Sequence, residues 1–137
     1  CRWFLMKQRT SGSAHFDRWP RNYGTAWEQR DSAAAARLFS AAASYHWTPF
    51  DPPSVGHAAI AAALRGTTDS QRDVRFEYEI LSAGQERGIA AWSACFNRVG
   101  TRVAVRVEGV LSAEWDGDGK CCCFREWWHL LENVPSA

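Results

Sequence analysis

The chain has 137 residues, of which 46% are hydrophobic and 23% charged, enough for one domain with an ordinary buried core. Sixteen Lys and Arg stand against 15 Asp and Glu, and the arginines are scattered, so neither nucleic acid nor an anionic membrane surface is indicated as a partner. No apolar run approaches the roughly 20 residues that a membrane-spanning helix requires.

Residues 1–16 lack the basic start, apolar stretch and small-residue cleavage site of a secretory signal. They read as a leader or flexible segment, with S-G-S-A as a joint. A domain over 17–132 follows, and 133–137 form a tail. Asp17 is placed to cap a first helix whose inward stripe is Trp19, Tyr23, Ala26 and Trp27, ending near Arg30 or Asp31. Pro20 falls in its first turn, where a missing N–H costs little. Ser32 is a cap for a second, short helix that turns Leu38 and Phe39 inward. A short strand runs to Pro49, and the rigid turn D-P-P-S-V-G leads to a third helix, H-A-A-I-A-A-A-L, ended by Gly66.

From Asp73 the pattern becomes that of strands. V-R-F-E-Y-E-I-L alternates strictly, with Val74, Phe76, Tyr78 and Ile80 on one face. G-I-A-A-W-S-A-C-F-N-R-V is turned by Gly100-Thr101 into R-V-A-V-R-V-E-G-V-L-S-A-E-W, and D-G-D-G turns that into K-C-C-C-F-R-E-W-W-H-L-L. Helices followed by a meander of long antiparallel strands give an α+β domain with helices packed on one face of a curved sheet. Of five cysteines, Cys121, Cys122 and Cys123 are consecutive, whereas zinc sites use spaced pairs because neighbours on a strand point to opposite faces. They read as small hydrophobes in a reducing cytoplasm, and neither a metal nor another cofactor is expected.

Y-G-T-A-W-E-Q-R-D with A-A-A-R-L-F, Y-H-W-T-P-F-D-P-P-S-V-G-H-A-A-I, E-G-V-L, D-G-D-G-K and F-R-E-W-W-H carry a resemblance over about residues 18–131. In that order they resemble the nuclear transport factor 2-like superfamily, in its bacterial SnoaL-like, polyketide cyclase-related branch. The resemblance implies a cone: a strongly curved, mixed or antiparallel sheet wrapped round three N-terminal helices, enclosing an apolar cavity. It also implies that the convex face pairs two subunits. It does not fix an activity, because the superfamily holds isomerases, cyclases, dehydratases, epoxide hydrolases and binding proteins.

Strand parity places Phe124, Glu126 and Trp128 on one face of the last strand. Compared with ketosteroid isomerases, Trp128 falls at a pocket tryptophan and Tyr23 at the phenol that donates to a developing enolate. Thr48 falls at their general-base carboxylate, a role that a threonine cannot fill. Compared with limonene-epoxide hydrolases, Glu126 falls at a catalytic aspartate and Arg87 at their arginine, but Ile89 stands where a second aspartate would be. The resulting constellation has Glu126, Tyr23 and His46 as candidate catalytic groups. Trp27, Thr48, Phe50, Arg87, Val105, Val107, Leu111, Phe124 and Trp128 are its candidate ligand-binding walls. A carboxyl among indole and aliphatic groups has its pKa raised, which suits a general acid or base, a polar anchor for a ligand, or an internal structural bond. Trp92, Phe96 and Trp127 are expected on the convex face as anchors of a homodimer, with Arg106 and Glu108 forming ion pairs there.

Two readings follow. One is a protein that binds a small, largely apolar molecule in its pocket. The other is an isomerase, cyclase, dehydratase or hydrolase using Glu126 as acid–base and Tyr23 as hydrogen-bond donor.

Overall fold

The computed structural model describes residues 14–133. The expected leader, up to residue 13, and the tail after residue 133 lie outside the described residues. Helix α1 spans Ala14–Glu28 and α2 Ser32–Ala36. Strand β1 (Phe39–His46) and the two-residue β2 (Ser54–Val55) precede α3 (His57–Asp69). The long strands β3 (Gln71–Ala83), β4 (Arg87–Arg98), β5 (Ala104–Trp115) and β6 (Cys121–Asn133) complete the chain. They form one curved, unclosed six-stranded sheet in the order β2-β1-β6-β5-β4-β3. Only β1 and β6 run parallel, so the first and last strands meet in the middle of the sheet.

The α+β architecture agrees with the sequence reading, while several boundaries move. Helix α1 begins before Asp17, so Asp17 is not a cap. It is buried in the first turn, where it is ion-paired with Arg21 and its Oδ1 accepts a 2.8 Å bond from the Tyr78 hydroxyl. Phe16, one residue earlier, is a core residue whose ring leaves no room for a Cβ at Gly88. The α2 cap is Asp31 rather than Ser32, since the Asp31 carboxylate accepts from Ala34 N at 2.9 Å. Phe39 is buried as expected, but as the first residue of β1 rather than on a helix. Helix α3 continues through Gly66 to Asp69, because nothing approaches that exposed glycine and the next residues still close helical bonds.

Helix α1 ends in a left-handed turn. Arg30 has φ +56°, Arg30 N donates to Trp27 O at 2.9 Å, and Asp31 N donates to Ala26 O at 2.8 Å. This double closure satisfies the last carbonyls and turns the chain at once into the α2 cap. The turns Gly100-Thr101 and D-G-D-G-K fall where expected, with Gly100 and Gly119 at positive φ.

Register decides which side chains face the helices. Phe96 pairs with Val105, Ala94 with Val107, Trp92 with Gly109 and Ala90 with Leu111. On β6, Phe124, Glu126, Trp128 and Leu130 pair with Ala113, Leu111, Gly109 and Val107. Directly paired residues share a face, so all of these project to the inner side. Trp92 and Phe96 are therefore not on the convex face: both are buried within the inner core, at 4% and 6% exposure. Centring the β4–β5 hairpin on Gly100-Thr101 already pairs Phe96 with Val105, and Val105 was assigned inward. The inward direction of Val105 therefore carries across the ladder to Phe96 and, by alternation, to Trp92. Trp127, Arg106 and Glu108 do lie on the outer face, where Arg106 and Glu108 are ion-paired within one chain.

Gly109 pairs with Trp128, and the β6 backbone lies against it. A Cβ there would lie 2.1 Å from Trp127 O and 2.9 Å from the Trp128 Cα. Only glycine lets the two backbones come together at this point, beside the tryptophan that opens the cavity described next.

Candidate functional site

The inner face is solid at one end and hollow at the other. Near the β5–β6 turn, Phe16, Trp19, Phe39, Trp115 and Phe124 fill the space with rings 5.4–5.9 Å apart. Farther along β5 and β6 a cavity of about 130 Å³ opens, walled by Trp27, Trp47, Trp92, Phe96, Val107 and Trp128 from the sheet side and α1. Helices α1, α2 and α3 contribute Ala26, Ala35, Leu64, Thr67 and Thr68. Trp128 and Leu130, 37% and 43% exposed, stand at its mouth.

Glu126 lies where the hollow begins. It is 7% exposed, lines the cavity and has one hydrogen-bond partner among the described residues. That partner is Tyr45, whose hydroxyl donates to Oε1 at 3.2 Å. Tyr45 is in turn 2.8 Å from the Tyr23 hydroxyl. With Tyr45 donating to the carboxyl, Tyr23 donates to Tyr45, so the three groups form a directed chain. Both phenol rings stack on Phe124, which holds them from beneath. Burial pushes the Glu126 carboxyl up to about 8, only partly offset by the Tyr45 bond. The same burial, together with the nearby carboxyl, raises both phenols, so neither ionises at neutral pH. The site therefore presents a carboxylic acid that is mostly neutral at pH 7, able to donate as well as accept a hydrogen bond.

The anticipated placement of Glu126, Tyr23, Trp27, Val107 and Trp128 at a pocket holds. Phe124, Leu111 and Val105 face inward but are packed beneath or beside the hollow as core. Four assignments fail. Phe50 is 95% exposed, in the loop after β1. Thr48 closes that loop, donating to Asp51 Oδ2 at 2.7 Å and accepting from Asp51 N at 3.2 Å. Arg87 is exposed and ion-paired with Glu114, which lowers the pKa of that carboxyl. His46 pairs with Arg125 and shares its outward direction, while its neighbour Tyr45 pairs with Phe124 and points in.

The strand-parity error at β1 has a physical cause. Parity counted from Thr48, which lies in the loop beyond the strand, turns His46 inward, whereas parity counted from the buried Phe39 runs through Ala43 to Tyr45 and turns His46 out. Tyr45 was missed for that reason. Gln71 was missed because it precedes the alternating run that marked β3, although it is 4% exposed and lines the cavity. Its Oε1 accepts from Trp27 Nε1 at 2.6 Å and its backbone carbonyl accepts from Arg30 at 3.0 Å.

Cys95, Cys121, Cys122 and Cys123 are free thiols, and burial raises the Cys121 and Cys122 pKa values. Among the described residues no group of three or more His, Cys, Asp or Glu is arranged to hold a metal ion. No described helix is long and apolar enough to cross a membrane.

The model of the SnoaL-like domain matches residues 21–122, most of the chain, and the chain belongs to that family. Among curated proteins none matches significantly. Similar solved structures include the epoxide hydrolase/cyclase-like enzyme SalBIII, which has a role in pyran ring formation in the polyether salinomycin. It is 20% identical with a TM-score of 0.72, over 82% of this chain and 89% of that one. A putative isomerase from Bacillus subtilis is 16% identical with a TM-score of 0.74, over 88% and 90% of the two chains. A computationally designed 17-OHP binder is 14% identical with a TM-score of 0.72, over 85% and 96%. At these identities the likeness is one of fold.

Proposed function

We propose that this SnoaL-like protein binds a small, largely apolar molecule in the cavity beside Glu126. The observation that carries the reading is a carboxyl buried at the start of a mainly aromatic and aliphatic hollow, where burial favours its neutral form. Cavity walls of tryptophan and valine supply apolar contact, and the carboxyl supplies direction. Displacement of the apolar dye N-phenylnaphthylamine by small ketones and alcohols tests it. Wild type is expected to bind, Glu126→Gln to bind within a few-fold, and Glu126→Leu to lose the preference for polar-ended ligands. Equal affinity of all three proteins for all compounds would overturn it.

One observation favours a second reading, proton-transfer catalysis of the isomerase or cyclase kind. A carboxyl with a pKa about 8 gives and takes protons near neutral pH, and Tyr45, backed by Tyr23, is placed to hold it in one orientation. In that case Glu126→Gln binds ligand and turns nothing over, whereas a binding protein tolerates glutamine. Tyr23 then acts as a positioning residue through Tyr45, with Tyr45 as the donor nearest the reacting group.

We propose further that the convex face joins two copies of this chain. Trp127 and Leu131 are 44% and 59% exposed on that face, beside Val110 and with the Arg125 guanidinium 5.4 Å from the Trp127 ring centre. Light scattering tests this: Trp127→Glu is expected to yield monomers, and an unchanged dimer places the interface elsewhere. The free thiols fit a reducing compartment such as the cytoplasm.

A further inference from the structure

Most polar groups around the cavity are already engaged by the protein itself. The indole N–H groups of Trp47 and Trp128 donate to Ser54 Oγ and Trp47 O. The hydroxyls of Thr67 and Thr68 donate back to carbonyls of α3. Tyr23 and Tyr45 are occupied with each other and with Glu126. Trp92 Nε1 has no hydrogen-bond partner, but it is sealed from the cavity space.

Gln71 differs. An indole N–H can only donate, so the 2.6 Å contact from Trp27 Nε1 must meet the oxygen of the Gln71 amide. This fixes the side chain's orientation and leaves its NH2 group on the other side. Neither of those N–H bonds has a partner among the described residues, although the residue is only 4% exposed and borders the cavity. Arg30, held in its left-handed conformation at the end of α1, anchors the Gln71 backbone carbonyl and stiffens this arrangement.

Gln71 and Glu126 border the cavity from different strands, β3 and β6, at different register positions. Glu126 aligns through Leu111 with Ala90, and Gln71 pairs with Arg98, eight residues farther along β4. Apolar walls separate them.

Resting on the cavity-binding reading above, we infer that Gln71 is a second ligand-orienting residue. The cavity is then built for an elongated apolar molecule with a hydrogen-bond acceptor, such as a carbonyl oxygen, at each end. One acceptor meets the Glu126 carboxyl and the other the Gln71 amide NH2. A molecule with one acceptor sits on Glu126 and leaves Gln71 unpaired. One with a donor at the Gln71 end meets two N–H groups and is disfavoured.

The test uses one carbon skeleton with none, one or two terminal carbonyls: bicyclohexyl, its monoketone and its diketone. Each is titrated against N-phenylnaphthylamine bound to the full chain. Wild type is expected to prefer the diketone to the monoketone by roughly 2- to 10-fold, the range of one hydrogen bond. Gln71→Met should bring the ratio of diketone to monoketone affinity to about one, whatever it does to both affinities together, whereas Glu126→Leu should weaken both ketones. A diketone preference that survives Gln71→Met, or is missing from wild type, overturns the inference while the cavity-binding reading stands. Absence of binding by all three compounds overturns both. Should Gln71→Met fail to fold, the side-chain amide resonances of Gln71 in ¹⁵N-labelled wild type decide. Shifts on adding the diketone but not bicyclohexyl support the inference, and equal shifts overturn it.

Discussion

The two ends of the inner sheet face carry similar rings and behave in opposite ways. At one end Phe39, Trp115 and Phe124 close into a solid stack; at the other Trp92, Phe96 and Trp128 stand around open space. The helices make the difference. Over the solid end α1 contributes Phe16 and Trp19, each large enough to fill the gap. Over the hollow end the helices still offer Tyr23, Trp27 and Leu64, but with the small or short Ala26, Ala35, Thr67 and Thr68 between them. A cavity arises here from small residues opposite an aromatic sheet, not from any shortage of aromatics.

The comparison can be broken most severely at the solid end. Phe124→Ala removes a fully buried ring that stacks on both phenols and packs at a tilt against Trp19. A loss of about 3–5 kcal/mol is expected in denaturant unfolding. At the hollow end the corresponding truncation, Trp128→Ala, removes a ring that is already 37% exposed and should cost clearly less.

The pH dependence of stability separates the ends next. The Glu126 carboxyl has its folded pKa raised to about 8, against about 4.3 in the unfolded chain. Between those values the folded state holds the proton more tightly. Its contribution is therefore full below about pH 4.3 and is lost as pH rises through about 8, by an amount on the order of a few kcal/mol. Glu126→Gln should flatten that slope in pH-resolved chemical unfolding; an unchanged slope assigns it to other groups.

Filling the hollow sharpens the contrast further. Ala35→Leu adds apolar volume where space exists, so ligand-displacement affinity should fall by tenfold or more. The thermal midpoint should hold or rise, in contrast to the penalty of about 1–3 kcal/mol for overpacking a filled core. The smallest effect belongs to Phe50→Ala. That ring is 95% exposed and belongs to neither end, so stability should change by no more than about 0.5 kcal/mol and dye displacement not at all.

Much of the fold was legible in the residues themselves. Helix and strand periods, the Gly100-Thr101 and D-G-D-G turns and the alternation of β3 are local properties, set by backbone geometry and by which side chains repeat on one face. The inward direction of Phe124, Glu126 and Trp128 followed from that alternation and from the resemblance. Thr48, Phe50 and Arg87 were misassigned because loop and strand-end positions obey no period. Trp92 and Phe96 were misassigned because β4 is buried on both faces, so only its register with the inward Val105 across the Gly100-Thr101 turn sets their direction.

What the chain determined alone was therefore the sequence of elements, the spacing of their turns and the presence of an acid among aromatics near the C-terminus. Which phenol touches that acid, and that Gln71 borders the same space, were decided only in three dimensions. The physical reason is that β1 joins β6 in parallel across most of the chain's length, with a slip in register between Phe39 and Ser44. Contacts made across such a pairing depend on how the strands align, and no local period records that alignment.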